Sequence, residues 1–357
     1  MKFKKTLCSL VALSLLTTVA LTGCNDNGGG SSSGSESASA SETGWKSDIE
    51  ITAWGVMDPQ ISAQQIVADK MGYFAEEGLN VTCEYTQSGT EMAAIASTDE
   101  VQISFETNST DLTLRNNGVD TKILATLCNI GGTQAVVARE GMEINSPQDL
   151  EGKTIGMAAG SGVDLAIRNM CEATGVDYNA LNFVNLQPSD QVAAMTSGEI
   201  DLMACWEPWV TVGRGEGGTV LFTGIHSNLP GYEGDVDWLN FLTVIRAREG
   251  FIDEYPEECE ALLRALMKAT DYINENTEEA AQLVAEELNI DPDDTVIMLQ
   301  ENVYDVCLDE KLVNSADLMG NYKLSQGQIE AIPELSSYVE PKFLREIDSS
   351  KVSADFE

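Results

Sequence analysis

Histidine is almost missing from this chain. His226 is the only one among 357 residues, which excludes a multi-histidine metal site, and no serine or cysteine motif makes it part of a triad. It reads as a loop residue. Basic residues are scarce as well, 20 Lys and Arg against 58 Asp and Glu, for a formal net charge of −38. Such a surface repels phosphate backbones and anionic headgroups, so nucleic acid is not expected as a partner. A small anion is not excluded, because local backbone N–H groups can outweigh a diffuse distant field. Cys-x-x-Cys pairs are absent. Cys83, Cys128, Cys171, Cys205, Cys259 and Cys307 are widely spaced, mostly in apolar surroundings such as Met203-Ala204-Cys205-Trp206. Six cysteines in an exported chain permit fifteen full pairings, yet buried free thiols are the simpler expectation. No metal, no cofactor and no catalytic motif is implied.

The apolar run 7–20 is too short to span a bilayer comfortably, and it follows Lys2, Lys4 and Lys5. Charge, then apolar run, then small residues is the order of an export signal. Leu21-Thr22-Gly23-Cys24 resembles the bacterial lipobox, in which the cysteine after the cut is lipidated and becomes the first mature residue. The expectation is a signal peptide over 1–23 and lipid attachment at Cys24; an ordinary signal peptide with a chance cysteine is the alternative. From 25 to 43 the chain is almost wholly Gly, Ser, Ala, Glu and Asn, with nothing large and apolar to offset the entropy of ordering. Residues 24–47 are therefore expected to be a flexible tether, with a reach of about 25 Å.

The remainder is long enough for two lobes with separate cores. Strand and helix patterns alternate from Ile49 onward. Strands are expected at 49–54, 79–85, 101–105, 121–127, 135–138, 154–158, 181–186 and 201–206, with helices at 62–71, 91–97, 110–116, 163–174 and 191–196. That alternation implies parallel sheets with helices on both faces, and ligands in such folds sit outside the carboxyl ends of the strands. The last third is helical. Cys259, Leu262, Leu263, Leu266, Ala269, Thr270 and Ile273 trace one face of a helix opened by Pro256. Asn276 with Glu279 resembles a capping box, and Asp291-Pro292-Asp293-Asp294 a helix start. The last four lack calcium-loop spacing.

Met71-Gly72-Tyr73-Phe74-Ala75-Glu76-Glu77-Gly78-Leu79-Asn80-Val81 resembles a segment of the nitrate/sulfonate/taurine-binding proteins of ABC importers, a family that also holds thiamine-pyrimidine-precursor binders. Gly152-Lys153-Thr154-Ile155-Gly156, Gly160-Ser161-Gly162, Ser197-Gly198-Glu199-Ile200-Asp201, Trp206-Glu207-Pro208 and Tyr255-Pro256-Glu257 follow in the family's order. The resemblance implies an α/β, bilobal periplasmic-binding-protein fold of the second topological type. Its two hinge crossings would fall near 131–134 and 230–240. Lobe one would combine 48–133 with 240–347, lobe two would be 134–239, and 348–357 would be a C-terminal tail. A monomer that closes on its ligand and docks on a membrane permease with its ATPase is the implied function. A secreted enzyme on the same scaffold, and a signalling receptor or adhesin, are the competing classes.

Candidate ligand contacts lie at strand ends. Asp58 and Gln60 follow the first strand, where a plain N-cap is an equal alternative. Glu106, Thr107 and Asn108 end the third. Gly160, Ser161 and Gly162 offer N–H groups at a helix start, and Trp206 and Glu207 end a lobe-two strand, where an aromatic wall is expected and a core position is the alternative for Trp206. These segments carry Asp58, Glu106 and Glu207 and include no Lys or Arg. A simple oxyanion would meet uncompensated carboxylates there. A zwitterionic, taurine-like sulfonate or an amino-bearing pyrimidine fits better.

Overall fold

The computed structural model describes residues 45–87, 89–98 and 100–356; the leader, Cys24 and most of the expected tether lie outside them. Among the described residues the strands, in chain order, are β1 (Glu50–Val56), β2 (Asn80–Thr86), β3 (Ile103–Thr107), β4 (Thr121–Asn129), β5 (Gln134–Ala138), β6 (Thr154–Met157), β7 (Asn182–Asn185), β8 (Leu202–Trp206), β9 (Thr219–Thr223), β10 (His226–Ser227), β11 (Gly234–Asp235), β12 (Leu242–Arg248) and β13 (Val303–Cys307). They form two sheets, ordered β13-β4-β12-β3-β1-β2 and β11-β10-β9-β5-β8-β6-β7.

Both sheets follow one plan. Three parallel strands, β2-β1-β3 or β7-β6-β8, are followed by one that enters antiparallel, β12 or β5. Each of those two strands is the first after the chain crosses from the other sheet. The sheets are therefore mixed, not parallel as the alternation implied. His226 lies in the short strand β10, not in a loop.

Local sequence explains most element starts. Asp58 accepts from the backbone N–H of Gln60 at 2.8 Å and opens the helix Pro59–Lys70, three residues before the expected start. Asp291 accepts from Asp293 and Asp294 N–H groups and opens Pro292–Gln300. The helix Pro256–Glu275 buries the expected apolar face. Asn276 behaves differently: its side-chain amide donates back to the Tyr272 carbonyl at 3.3 Å, and no capping box forms.

Pro59–Lys70 hides polar residues that its sequence gave no reason to bury. Ser62 Oγ donates to the Val56 carbonyl, while Gln64 and Gln65 side-chain amides donate to the carbonyls of Leu127 and Ala53. Among the described residues Oε1 of Gln64 and of Gln65 accepts no bond; these donor bonds compensate the hydroxyl and amide N–H groups for the loss of water. They also require Gly55, since a Cβ there would lie 2.1 Å from Gln65 Oε1. The expected tail is packed: Val352 bridges Leu308, and Phe356 is buried.

The two crossings run between β4 and β5 and between β11 and β12, and they are tied to each other. Asn129 Nδ2 donates to Asn240 Oδ1 at 2.7 Å, and Asn129 Oδ1 accepts from the backbone N–H groups of Gly131 (3.0 Å) and Phe241 (3.2 Å). At Gly132 a Cβ would fall 1.6 Å from the Glu301 carbonyl oxygen, so only glycine lets these backbones approach.

Candidate functional site

The carboxyl ends of β1 and β8 face each other across the boundary between the sheets. Met57, Asp58 and Pro59 stand on one side, and Trp206, Glu207 and Pro208 on the other, around a cavity of about 380 Å³. A third wall comes from the start of Pro292–Gln300 and the residues before it. The Gln60 side-chain amide spans the gap, donating to the Glu207 carbonyl at 3.4 Å, and Gln60 Oε1 accepts from the Thr133 hydroxyl.

Asp58 is both helix cap and cavity wall, and burial pushes its carboxyl up to about 6. Glu207 is buried with its oxygens already partnered: Oε2 accepts from the Thr211 backbone N–H at 2.9 Å and Oε1 from the Thr211 hydroxyl at 3.0 Å. These bonds tie it to the first turn of the helix Trp209–Gly215 while it borders the cavity, and burial raises its pKa from the usual carboxylate value. Half-buried Trp206 lends an aromatic surface to the wall.

Glu106, Thr107 and Asn108 are buried in the first lobe and do not border this cavity. Glu106 Oε1 accepts from the Thr107 N–H, its Oε2 has no hydrogen-bond partner among the described residues, and burial pushes it up to about 7 against the pull of Arg246. Asn108 Nδ2 donates to Ser315 Oγ, which donates to the Asn240 carbonyl. A cleft residue from the sequence reading is thus linked by two bonds to the crossing.

Gly160, Ser161 and Gly162 lie elsewhere on the boundary. The nearest atoms to a Cβ on Gly160 belong to Gln328, and those to one on Gly162 belong to Phe241. Of the three N–H groups expected to hold an oxyanion, that of Ser161 donates to the Ala158 carbonyl, while the Ser161 side chain and carbonyl accept from the Val163 and Asp164 N–H groups that follow. The structure brings Asp58, Gln60, Trp206 and Glu207 together and leaves the other candidates outside their cavity.

Sequence reasoning missed two features. Arg246, 1 % exposed, sits under the first lobe's sheet, with Nε donating to Ser104 Oγ at 2.7 Å and Nη1 3.4 Å from Asp111. A lone charge inside Leu242-Thr243-Val244-Ile245-Arg246-Ala247 was its signal in the sequence. The other is the wall from Ile290 to Met298, where the Asp-Pro-Asp-Asp pattern spoke only of a helix start. All six described cysteines are free, with Cys83 and Cys307 half-buried and the rest buried. Burial raises every thiol pKa, that of Cys171 to about 11 and those of Cys83, Cys259 and Cys307 to about 12.

A family model described as "NMT1/THI5 like" matches residues 61–280. A putative aliphatic sulfonates-binding protein of Bacillus subtilis is 24% identical over 233 residues, 63% of this chain and 67% of its own. The formylaminopyrimidine-binding protein of Halalkalibacterium halodurans is 23% identical over 221 residues, 61% and 64% of the two chains. The chain spans from 50% to 67% of the length of the curated relatives it matches. The periplasmic aliphatic sulphonate binding protein SsuA from Escherichia coli superposes with a TM-score of 0.70 at 13% identity, covering 83% of this chain and 93% of its own. The desulfurization enzyme DSZB gives 0.60 at 16%, covering 83% and 98%. At these identities the likeness establishes the fold: α/β, two lobes, two crossings.

Proposed function

The chain belongs to the NMT1/THI5-like family, and from that membership we propose that it is the extracytoplasmic solute-binding component of an ABC importer, taking a small molecule between its lobes and presenting it to a permease and its ATPase. One observation carries the reading. The cavity at Met57–Pro59 and Trp206–Pro208 has walls from different sheets, so a ligand that fills it adds contacts to both lobes at once and shifts the population toward closure. Lobe one is taken as 48–133 with 240–347 and lobe two as 134–239, with a lipid anchor on Cys24 as the first residue after cleavage of 1–23 and the chain acting as a monomer. Sulfonates, taurine-like zwitterions and amino-bearing pyrimidines are the ligand classes to screen, in line with the names of the relatives.

A secreted enzyme is the second reading, favoured by the fold shared with DSZB. Against it, every described thiol is held protonated by burial, and a nucleophilic cysteine needs the opposite shift. The test is mass spectrometry of compounds released from purified protein, then X-ray scattering with and without the compound found. A ligand returned unchanged and a smaller radius of gyration are expected. Superimposable scattering curves would remove the closure model, and conversion of the compound would favour the enzyme.

A further inference from the structure

The third wall of the cavity comes from a segment whose sequence announced only a helix start. Ile290, Asp291, Asp294 and Met298, more than 80 residues beyond Glu207, border the same space as Asp58 and Trp206. Asp291 is occupied as the cap of its own helix. The half-buried Asp294 carboxylate takes no partner among the described residues. Ile290 is 37% exposed and Met57 40%, two large apolar side chains left uncovered at the rim of one cavity. Met298, 2% exposed, and Trp206 continue the apolar surface inward.

The lining therefore has two characters. Its apolar part offers surface for a hydrocarbon or aromatic body. Its charged part is entirely acidic, Asp58, Glu207, Asp291 and Asp294, with no Lys or Arg among the lining residues. Filling the cavity removes water from these carboxylates, and a ligand without positive charge leaves that cost uncompensated. A metal ion does not answer the charge, because no group of three or more His, Cys, Asp or Glu among the described residues is close enough to hold one. The carboxylates are spread along the wall, as suits a charge carried on a larger organic body.

Resting on the solute-binding reading, we propose that the segment Ile290–Met298 sets ligand specificity, and that the cavity takes an organic ammonium or amidinium with an apolar body in preference to an anionic sulfonate. Asp294 receives the cationic group, Ile290, Met298 and Trp206 pack the body, and the partnered Glu207 shapes the far wall.

The probes are 2-phenylethylamine and 2-phenylethanesulfonate, one body with opposite charges, measured by calorimetry on wild type, Asp294→Asn and Asp294→Lys. Melting curves check that each variant is folded. The amine is expected to bind wild type more tightly than the sulfonate, to weaken about three- to tenfold in Asp294→Asn, and to lose its advantage in Asp294→Lys. Tighter binding of the sulfonate to wild type overturns the inference, as does an amine affinity unchanged in both variants, and as does failure of both probes to bind. In each of these cases a compound released unchanged from purified protein would leave the importer reading standing, so the two fail separately.

Discussion

Asn129 offers the sharpest test of how the two crossings are held. Asn129→Ala removes one side chain and orphans three groups at once: the backbone N–H groups of Gly131 and Phe241 and the Oδ1 of Asn240. Asn129 and Asn240 are 7% and 8% exposed, so water replaces little of what is lost. Each buried unsatisfied group costs about 1–3 kcal/mol. Phe241 is only half-buried and its N–H recovers some hydration, which brings the expected total to about 2–5 kcal/mol. Asn129→Asp separates the contributions. It keeps the acceptor for both N–H groups but sets an oxygen against Asn240 Oδ1. Asn240 cannot simply turn over, because its Nδ2 donates to Asp237 Oδ1 at 2.5 Å. The Asp variant should therefore be destabilised at pH 7 and partly restored near pH 5, where a protonated carboxyl can donate to Asn240. Urea unfolding followed by tryptophan fluorescence and by circular dichroism measures both variants and shows whether the two signals coincide. A loss under about 0.5 kcal/mol in Asn129→Ala would refute the reasoning, since surface substitutions cost as little.

Arg246→Ala should destabilise by about 3–5 kcal/mol in urea unfolding, because it strands Asp111 and Glu106 as buried carboxylates; Arg246→Met should be milder at pH 5 than at pH 8, where those carboxyls ionise. Asp58 and Asp111 at about 6 and Glu106 at about 7 are all raised by burial, so the folded state holds their protons more tightly. Their contribution is complete below the unfolded values near 4 and fades as pH rises through 6 to 7. Backbone N–H groups of Asn145 and Ser146 hold Asp149 low, and the Ser350 hydroxyl and N–H hold Asp348 low, a contribution lost on acidification. The melting temperature should therefore climb by roughly 5 °C from pH 8 to pH 5 and fall below pH 4; a flat calorimetric profile over pH 5–8 would count against the buried carboxyls. Cys24→Ala should abolish labelling by radioactive fatty acid, and unchanged labelling would remove the lipobox reading.

The sequence by itself determined what is decided within a few residues. Pro256 and Asp291-Pro292 announce helix starts because a cap and a first-turn proline act on the nearest N–H groups alone, and Asp58-Pro59 carries the same signal although the expected helix began only at 62. The alternation of Leu79, Val81, Cys83 and Tyr85 marks β2, and the apolar face of Pro256–Glu275 is legible at helical spacing. Local pattern likewise showed the ends of β1 and β8 as candidate ligand positions. Tertiary structure alone decided which polar side chains are buried. Gln64 is acceptable inside only because Leu127 and Thr270 present acceptors to it, and Arg246 only because Ser104 and Asp111 reach it. It also decided that β12 enters the first sheet between β3 and β4, and that Ile290 to Met298 meets Asp58 and Glu207 around one cavity. Such juxtapositions depend on strand order and on contacts between residues more than 80 positions apart, which cap chemistry and hydrophobic period, acting over a turn or two, do not encode.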